Sequence, residues 1–377
     1  MSRPDLSLLR HFASLRDPRI DRTKKHKLED LLVIALCATL AGADGFVEIE
    51  AFGHSKRAWL QGFLELPNGI PSHDTFNRLF AALNPKAFQD CFAGWMNAIC
   101  DRLGLKRLAI DGKTLRGSHR GGKGENCLHL VSVWAVDNGL ILGQEAVDQG
   151  SNEITALPKL LRTLDLAGAI VTIDAIGCQK EVAQTIRQEG GDYVLAVKEN
   201  QETLYRDIAA CFEEALRDDL RGVRHDLCFT QGTGHGRKEE RSYCVIYDPA
   251  GLSTRAEWQD LRAIVMVGRS RWVEDKCSHE VQYFISSGEY GAGDLARSIR
   301  GHWGIENNLH WILDVVFRED ESRVKDRNAA ENLAMLRRVA VSLLKQDESK
   351  GSLKGKRKRA GWNDEFLAHL LALLSAD

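Results

Sequence analysis

Two aspartates in this 377-residue chain stand where catalytic carboxylates are commonly found. Asp111 follows the apolar run Arg107–Ile110, Asp174 follows the β-branched run Ala169–Ile173, and small residues come after each of them. Sites in open α/β sheets form at the carboxyl ends of strands, so these side chains are candidate ligands of a metal ion. One aspartate after a strand is most often a turn residue, and the pair carries more weight.

A third carboxylate, Glu306, lies in the predicted helical stretch Ser298–Trp311. On an α-helix His302, Glu306 and His310 are spaced i, i+4 and i+8 and share one face. Three carboxylates favour a hard cation, Mg²⁺ or in its place Mn²⁺, and two such ions can assist a displacement at phosphorus. The same face offers a competing zinc site of His302, Glu306 and His310, typical of a zinc-dependent hydrolase. That alternative is ranked lower because it leaves both aspartates without a role and lacks the His-Glu-x-x-His arrangement.

Apolar spacing predicts the elements that would position these side chains. Strands are predicted at 107–110, 128–136, 140–147, 169–173 and 193–197, with helices at 153–164 and 180–189. Later strands are predicted at 243–247, 263–267 and 281–286, and later helices at 293–313, 328–345 and 364–374. This order indicates an α/β fold with a mixed sheet and crossover helices, carrying a β-rich insertion at about residues 222–290.

The first hundred residues have helical spacing throughout. Ser72 is predicted to cap a helix whose apolar side chains recur on one face, and Asn84 to cap the next, with Pro85 at its first position. The outward side chains of the first helix are polar: His73, Asn77 and Arg78. Two helices with a tight connection can form a helix-turn-helix reader of DNA, although ordinary helix packing is the more common outcome.

Charge gives no global indication of a nucleic-acid partner, because the net charge is -2. Contact with DNA would therefore need local basic segments. One comprises Arg16, Arg19, Arg22, Lys24, Lys25 and Lys27; the other runs from Lys350 to Arg359 and has six basic residues and no acidic one. Such runs are more often solvated surface than binding sites. In the second segment the candidate DNA ligands are Lys356, Arg357, Lys358 and Arg359.

Composition excludes several classes of protein. Hydrophobic residues make up 44% and charged residues 28%, as in an ordinary globular protein. The nine cysteines include no Cys-x-x-Cys pair, which argues against a zinc finger or a disulfide framework. The longest apolar run, Leu31–Ala43, is too short for a membrane span, and the mixed charge before it is unlike a signal peptide. The expected location is the cytoplasm, with the nucleoid as the location when DNA is bound and no membrane partner.

Several motifs, in this order, resemble the bacterial ISAs-type insertion-sequence transposases, or H-repeat-associated proteins, within the DDE transposase class. They are Ala109-Ile110-Asp111-Gly112-Lys113, Ile173-Asp174-Ala175-Ile176-Gly177-Cys178-Gln179, Gly234-His235-Gly236-Arg237, His302-Trp303-Gly304-Ile305-Glu306-Asn307, Leu309-His310-Trp311 and Asp314-Val315-Val316-Phe317. The resemblance covers nearly the whole chain, and the ordered set is far more specific than any one motif.

This resemblance implies an RNase H-like catalytic core with Asp111 and Asp174 on neighbouring strands, Glu306 on a later helix and a β-rich insertion between them. The expected domains are a helical N-terminal domain at 1–104, possessing a DNA-end-binding role, the catalytic domain at 105–345, and a basic linker with a C-terminal helix at 346–377. The implied activity is metal-dependent cleavage and strand transfer of an insertion sequence. Its partners would be the terminal inverted repeats, target DNA and at least one further copy of the chain.

The sequence departs from related transposases at two places. Ile299, His302 and Leu313 occupy the Tyr, Arg and Lys positions of the usual signature around the glutamate, so DNA contacts are assigned instead to Arg300, His302 and Asn307, with Lys113 and Arg237 from other motifs. Glu199 stands where glycine is expected in relatives. This motivates the alternative of an inactive or immobile DNA-binding relic, against which all three carboxylates are retained.

Overall fold

The computed structural model describes residues 12, 14–92, 96, 107–118, 127–234, 237–273 and 276–373. In these ranges the strands are β1 (Arg107–Leu115), β2 (Leu128–Ala135), β3 (Leu140–Ala146), β4 (Ile170–Ile173), β5 (Asp192–Val197), β6 (His225–Gly234), β7 (Arg237–Tyr247), β8 (Ala263–Val273) and β9 (Lys276–Ser286). The α-helices are α1 (Leu28–Ala41), α2 (Phe46–Ser55), α3 (Arg57–Leu60), α4 (His73–Ala82), α5 (Glu153–Leu161), α6 (Lys180–Gln188), α7 (Glu202–Arg217), α8 (Ala292–His302), α9 (Trp311–Val315), α10 (Arg327–Gln346), α11 (Leu353–Trp362) and α12 (Asp364–Ala372). The mixed α/β class predicted from the sequence is confirmed.

The chain divides into two compact units. The first comprises residues 1–104, 112–151 and 306–377, and the second comprises residues 105–111 and 152–305. Strand β1 passes from the second unit to the first between Asp111 and Gly112.

A mixed sheet forms the centre of the second unit, in the order β1-β4-β5-β9-β8-β7-β6. The pairs β1–β4 and β4–β5 are parallel, whereas the strands from β5 to β6 are antiparallel to their neighbours. Every residue of β4 is buried, which explains its continuous apolar sequence. Helix α8 packs on one face of the antiparallel part, where Leu295 and Ile299 join a core with Val245 and Val265.

The antiparallel strands are longer than the sequence predicted. Strands β8 and β9 pair from Ala263↔Ser286 to Val273↔Lys276, beyond the predicted ranges 263–267 and 281–286. The added residues are partly or fully exposed and carry charged side chains, so they lack the apolar alternation that marked the buried halves.

In the first unit, helix capping follows the sequence prediction. Thr75 N donates to Ser72 Oγ at the start of α4, and Ala87 N donates to Asn84 Oδ1 at 3.0 Å, where residues 85–92 begin a further helix. Between these helices, the carbonyls of Phe80 and Leu83 accept hydrogen bonds at 2.8 and 3.1 Å from the buried Asn332 amide of α10. These bonds tie the two helices to α10.

The basic segment from Lys350 to Arg359 is not a linker, since most of it forms helix α11. Arg357 is buried and donates to the carbonyls of Thr39 and Ala43, at 3.0 and 2.8 Å, and also to Val316 O. Lys356 is buried beside Asp347, with 3.1 Å between Nζ and Oδ2. The sequence did not predict the burial of Arg357, because the groups that it binds are distant in the sequence. They are carbonyls at the C-terminal end of α1, which need hydrogen-bond donors from outside that helix.

Among the described residues, no single helix is long and apolar enough to cross a membrane; α1 and α2 meet the length and composition test only as a pair bent by 95°.

Candidate active site

Asp111 and Asp174 lie side by side in the second unit. The parallel register pairs Ile110 with Ile173, and the aspartates are the residues that come next, Asp111 within β1 and Asp174 directly after β4. Adjacent strands are about 4.8 Å apart, and paired residues point to the same face of a sheet. Asp111 is not the last residue of its strand, as the sequence suggested, because β1 continues to Leu115. The neighbouring strand β4 does stop at Ile173.

A tight turn fixes the Asp174 carboxylate. Its Oδ1 accepts hydrogen bonds from the amides of Ile176, at 3.1 Å, and Gly177, at 3.2 Å. Gly177 admits no larger residue without rearrangement, because a Cβ there would lie 2.2 Å from Ile173 Cγ2 and 2.9 Å from Leu157 Cδ1. Burial raises the pKa of Asp174 and nearby Glu153 adds to this, while the two amides and Lys198 oppose it. A cation beside this carboxylate would therefore stabilise its charged form.

Two amide side chains that the sequence analysis did not assign hold this turn from the end of β5. Asn200 Nδ2 donates to Ala175 O at 2.7 Å, and Gln201 Nε2 donates to Cys178 O at 2.9 Å. Their signal in the sequence is their position in the loop that follows the buried strand β5, similar to the signal that marked Asp174. Glu199, which precedes them, is not among the residues with positive φ, so its backbone does not require glycine.

His302 belongs to the same unit and contacts strand β4. Thr172 Oγ1 donates to Leu108 O at 2.9 Å, so the same oxygen must accept from His302 Nδ1, which lies 3.2 Å away. Burial lowers the pKa of His302 to about 4, and the ring is neutral at pH 7. Residues two apart on a strand share a face, so Thr172 and His302 lie on the face of β4 where Ile170 packs with helix α8. The predicted DNA contact of His302 stays a prediction.

Glu306 is in the first unit, in a π-helical turn spanning Glu306–His310. The predicted helical stretch is confirmed apart from a turn at Trp303, because the chain is helical again from residue 304 to Val315. The π-helical turn changes the period, so the regular i, i+4, i+8 stripe of an α-helix is wrong. Glu306 and Asn307 are exposed in this turn. Burial, reinforced by Arg338 and Lys113, lowers the pKa of His310 to about 4. Such π-helical turns occur often at functional sites.

Lys113, predicted to bind DNA, is engaged by three carboxylates of its own unit. Its Nζ lies 2.8 Å from Asp314, 3.0 Å from Asp320 and 3.7 Å from Glu319. Burial alone would lower the pKa of Lys113, but these acids outweigh it and raise the pKa. Glu319 also pairs at 2.9 Å with Arg338, and both side chains are fully buried. The ammonium group of Lys113 therefore belongs to an internal charge network.

The other predicted DNA ligands have different surroundings. Arg300 is exposed, and its Nη1 lies 4.0 Å from Glu239 Oε2. Arg237 begins β7, while its side chain, like His235 and Gly236 before it, falls outside the described residues. Lys358 is exposed, and the Arg359 guanidinium lies 4.0 Å over the Phe366 ring.

Within either unit, the described residues include no group of three or more His, Cys, Asp or Glu side chains placed to hold a metal ion. The two adjacent aspartates nevertheless suit Mg²⁺, which proteins often hold by one or two carboxylates while substrate phosphates and water complete its shell.

A transposase is the class of protein that this constellation matches. Residues 102–343 match the family described as "Transposase DDE domain", and residues 9–96 match "DDE_Tnp_1-associated". The chain belongs to the DDE transposase family.

Relatives extend over almost the whole chain. It is 39% identical over 374 residues to "Putative transposase YncI" of Escherichia coli O157:H7, covering 98% of this chain and 95% of the relative. It is 37% identical over 372 residues to "H repeat-associated putative transposase YhhI" of Escherichia coli K12, covering 97% of each chain. "Inactive transposase YbfQ" of Escherichia coli K12 is 38% identical over 72 residues, covering 19% of this chain and 86% of the relative. The chain is thus similar to the H-repeat-associated branch that its motifs indicated.

Proposed function

We propose that this protein is an active transposase with an RNase H-like core, which cleaves the ends of an insertion sequence and joins them to target DNA. The observation that carries the proposal is the parallel register of β1 and β4, in which Ile110 pairs with Ile173, the residues that immediately precede Asp111 and Asp174. Family membership supplies the reaction class, because DDE transposases act on DNA. Glu306 is proposed as the third carboxylate from its motif.

Asp111 and Asp174 would hold a divalent cation, Mg²⁺ or Mn²⁺. The ion would supply electrophilic stabilisation of charge on the phosphoryl oxygens and on the attacking oxygen. The protein supplies position: Ile176 and Gly177 hold one oxygen of Asp174, and the Asn200 amide holds the turn behind it. This prearrangement lowers the reorganisation needed when the DNA arrives.

The test is a cleavage assay on DNA carrying the element's own ends, in Mg²⁺ and in EDTA. Asp111→Asn, Asp174→Asn and Glu306→Gln should each abolish cleavage while retaining DNA binding and a cooperative unfolding transition. Glu214→Gln is the matched control, because it removes one exposed carboxylate from α7 of the second unit. It should cleave like the wild type.

Each result decides between functions. Cleavage at the wild-type rate by Asp174→Asn would refute the carboxylate assignment. A wild-type protein that binds the ends but cuts neither strand would be the DNA-binding relic. For this second candidate Glu199 is weak support, since its backbone φ is compatible with any residue.

A further inference from the structure

The outer halves of strands β7, β8 and β9 present arginines on one face of the sheet. Cross-strand register aligns Arg241, Arg269 and Glu280 in one row and Glu239, Arg271 and Ser278 in the next. Paired residues point to the same side, and both rows are an even number of residues from the core residues Tyr243 and Val267. Helix α8 covers those core residues, and its exposed Arg300 reaches Glu239. We name Arg241, Arg269, Arg271 and Arg300 the arginine face.

The two faces of this part of the sheet differ in charge. On the side of α8, the described side chains of 238–241, 268–273 and 276–280 give four cations, Arg241, Arg269, Arg271 and Lys276, and two anions, Glu239 and Glu280, so 4 − 2 = +2. Arg300 adds one more positive charge from the helix. On the opposite side Lys238 and Glu240 pair at 2.9 Å and cancel. The excess positive charge is therefore confined to one face.

The arginine face is short of anions. Arg241 and Arg269 are direct cross-strand partners, and like charges in such positions destabilise a sheet. Glu239 contacts Arg241, but it lies 3.9 Å from Arg271 and 4.0 Å from Arg300. Glu280 pairs with Arg269. Arg271 Nε is buried and finds no hydrogen-bond acceptor among the described residues. Two carboxylates thus serve four guanidinium groups. In the described part of the chain, Arg271 and Arg300 have only the distant Glu239 as a partner and keep exposed donors for an external anion.

We infer that the arginine face binds the phosphate backbone of the DNA substrate. Guanidinium groups form paired hydrogen bonds to phosphate oxygens, and phosphates would neutralise the excess positive charge of this face. Helix α8 connects this face to the His302 that lies against strand β4, so the same unit carries the aspartate pair and this phosphate-binding surface. The inference rests on the proposed function and adds a binding surface to it.

Salt dependence of DNA binding tests the inference. Each phosphate contact contributes about -0.9 to the slope of log K against log salt, which is about 8-fold in affinity at 0.1 M salt. Arg269→Gln and Arg271→Gln should each make the slope shallower by about 0.9, and the double variant should bind roughly 60-fold more weakly at 0.1 M. Glu239→Gln should have the opposite effect, with tighter binding and a steeper slope.

Lys238→Gln is the matched control, because it removes one positive charge next to Glu239 on the opposite face. It should change the slope by far less than Arg271→Gln. If all three cation variants shift the slope equally, the effect is general charge loss and the arginine face is refuted. If the wild type binds no DNA at all, the proposed function itself is refuted. If the wild type binds and cleaves DNA and the arginine variants bind it equally well, only the arginine face is refuted.

Discussion

Burial of His302 predicts that the second unit loses stability as the pH falls below 6.5. The ring donates to Thr172 Oγ1, and burial lowers the pKa of His302 from 6.5 to about 4. Between these two values the unfolded chain takes up a proton that the folded chain does not. Stability therefore decreases as the pH falls from 6.5 towards 4, and this histidine contributes no further loss below 4.

The size of the effect follows from the shift. Its full span corresponds to about 3 kcal/mol, and from pH 7.5 to pH 5 the expected loss is about 2 kcal/mol. His302→Gln removes the titration while keeping a donor for Thr172, so its unfolding free energy should fall by about 2 kcal/mol less than that of the wild type over this range. Urea unfolding at pH 7.5, 6 and 5 measures the difference, with fluorescence from the buried Trp258 of the same unit as the signal, in a background where the other seven of the eight tryptophans are replaced by phenylalanine.

A comparison with His310 makes the test specific. Burial lowers the pKa of His310 to about 4 as well, but this residue is in the first unit. His310→Gln should therefore change the pH dependence of the first unit and leave the Trp258 transition as in the wild type. If His302→Gln keeps the full wild-type pH dependence of the Trp258 transition, the buried, neutral ring inferred for His302 is wrong.

Two further substitutions test the packing around the site and the charge network. Gly177→Ala places a methyl group against Ile173 and should destabilise the protein by about 1–3 kcal/mol, seen as a lower melting temperature, with cleavage falling as the Asp174 turn shifts; an unchanged melting temperature would contradict the clash. Glu319→Gln leaves the buried Arg338 without its anion and should cost about 3–5 kcal/mol in urea unfolding. Its control is Glu213→Gln, which breaks an exposed pair with Arg217 and should cost less than about 0.5 kcal/mol; equal losses would refute the difference in burial.

The sequence predicted the aspartate pair because its signal is local. Apolar runs before Asp111 and Asp174 identify buried strands, and the residue after such a strand lies at the sheet edge where sites form. The continuation of β1 past Asp111 was not predictable from Gly112 and Lys113, because the residues that surround Lys113 are distant in the sequence. Lys113 is buried there only because acids about two hundred residues later surround its ammonium group.

Polar segments were the least predictable part of the fold. Charge alone indicated a solvated linker at residues 350–359, whereas Arg357 supplies hydrogen bonds at the end of α1. The outer halves of β8 and β9 were not predicted for a related reason. Both of their faces are exposed to solvent, so their sequences lack the alternation of apolar and polar residues that indicates a strand. The same charged residues that obscure these strands in the sequence include Arg269, which pairs across the strands with Arg241 of β7.

Helix α1 imposes an order on folding during synthesis. All residues from Asp30 to Leu40 are buried, and the helices that pack on α1 include α10, α11 and α12. Helix α1 ends at residue 41 and α10 begins at residue 327, so 285 residues separate the apolar helix from these three partners, whereas α2 packs on it at once. At about 5–20 residues per second, the surface of α1 that α10, α11 and α12 cover is left exposed for roughly 15–60 s. A chain terminated before α10 would keep that surface exposed permanently, so premature stops should yield aggregating products and not soluble DNA-binding fragments.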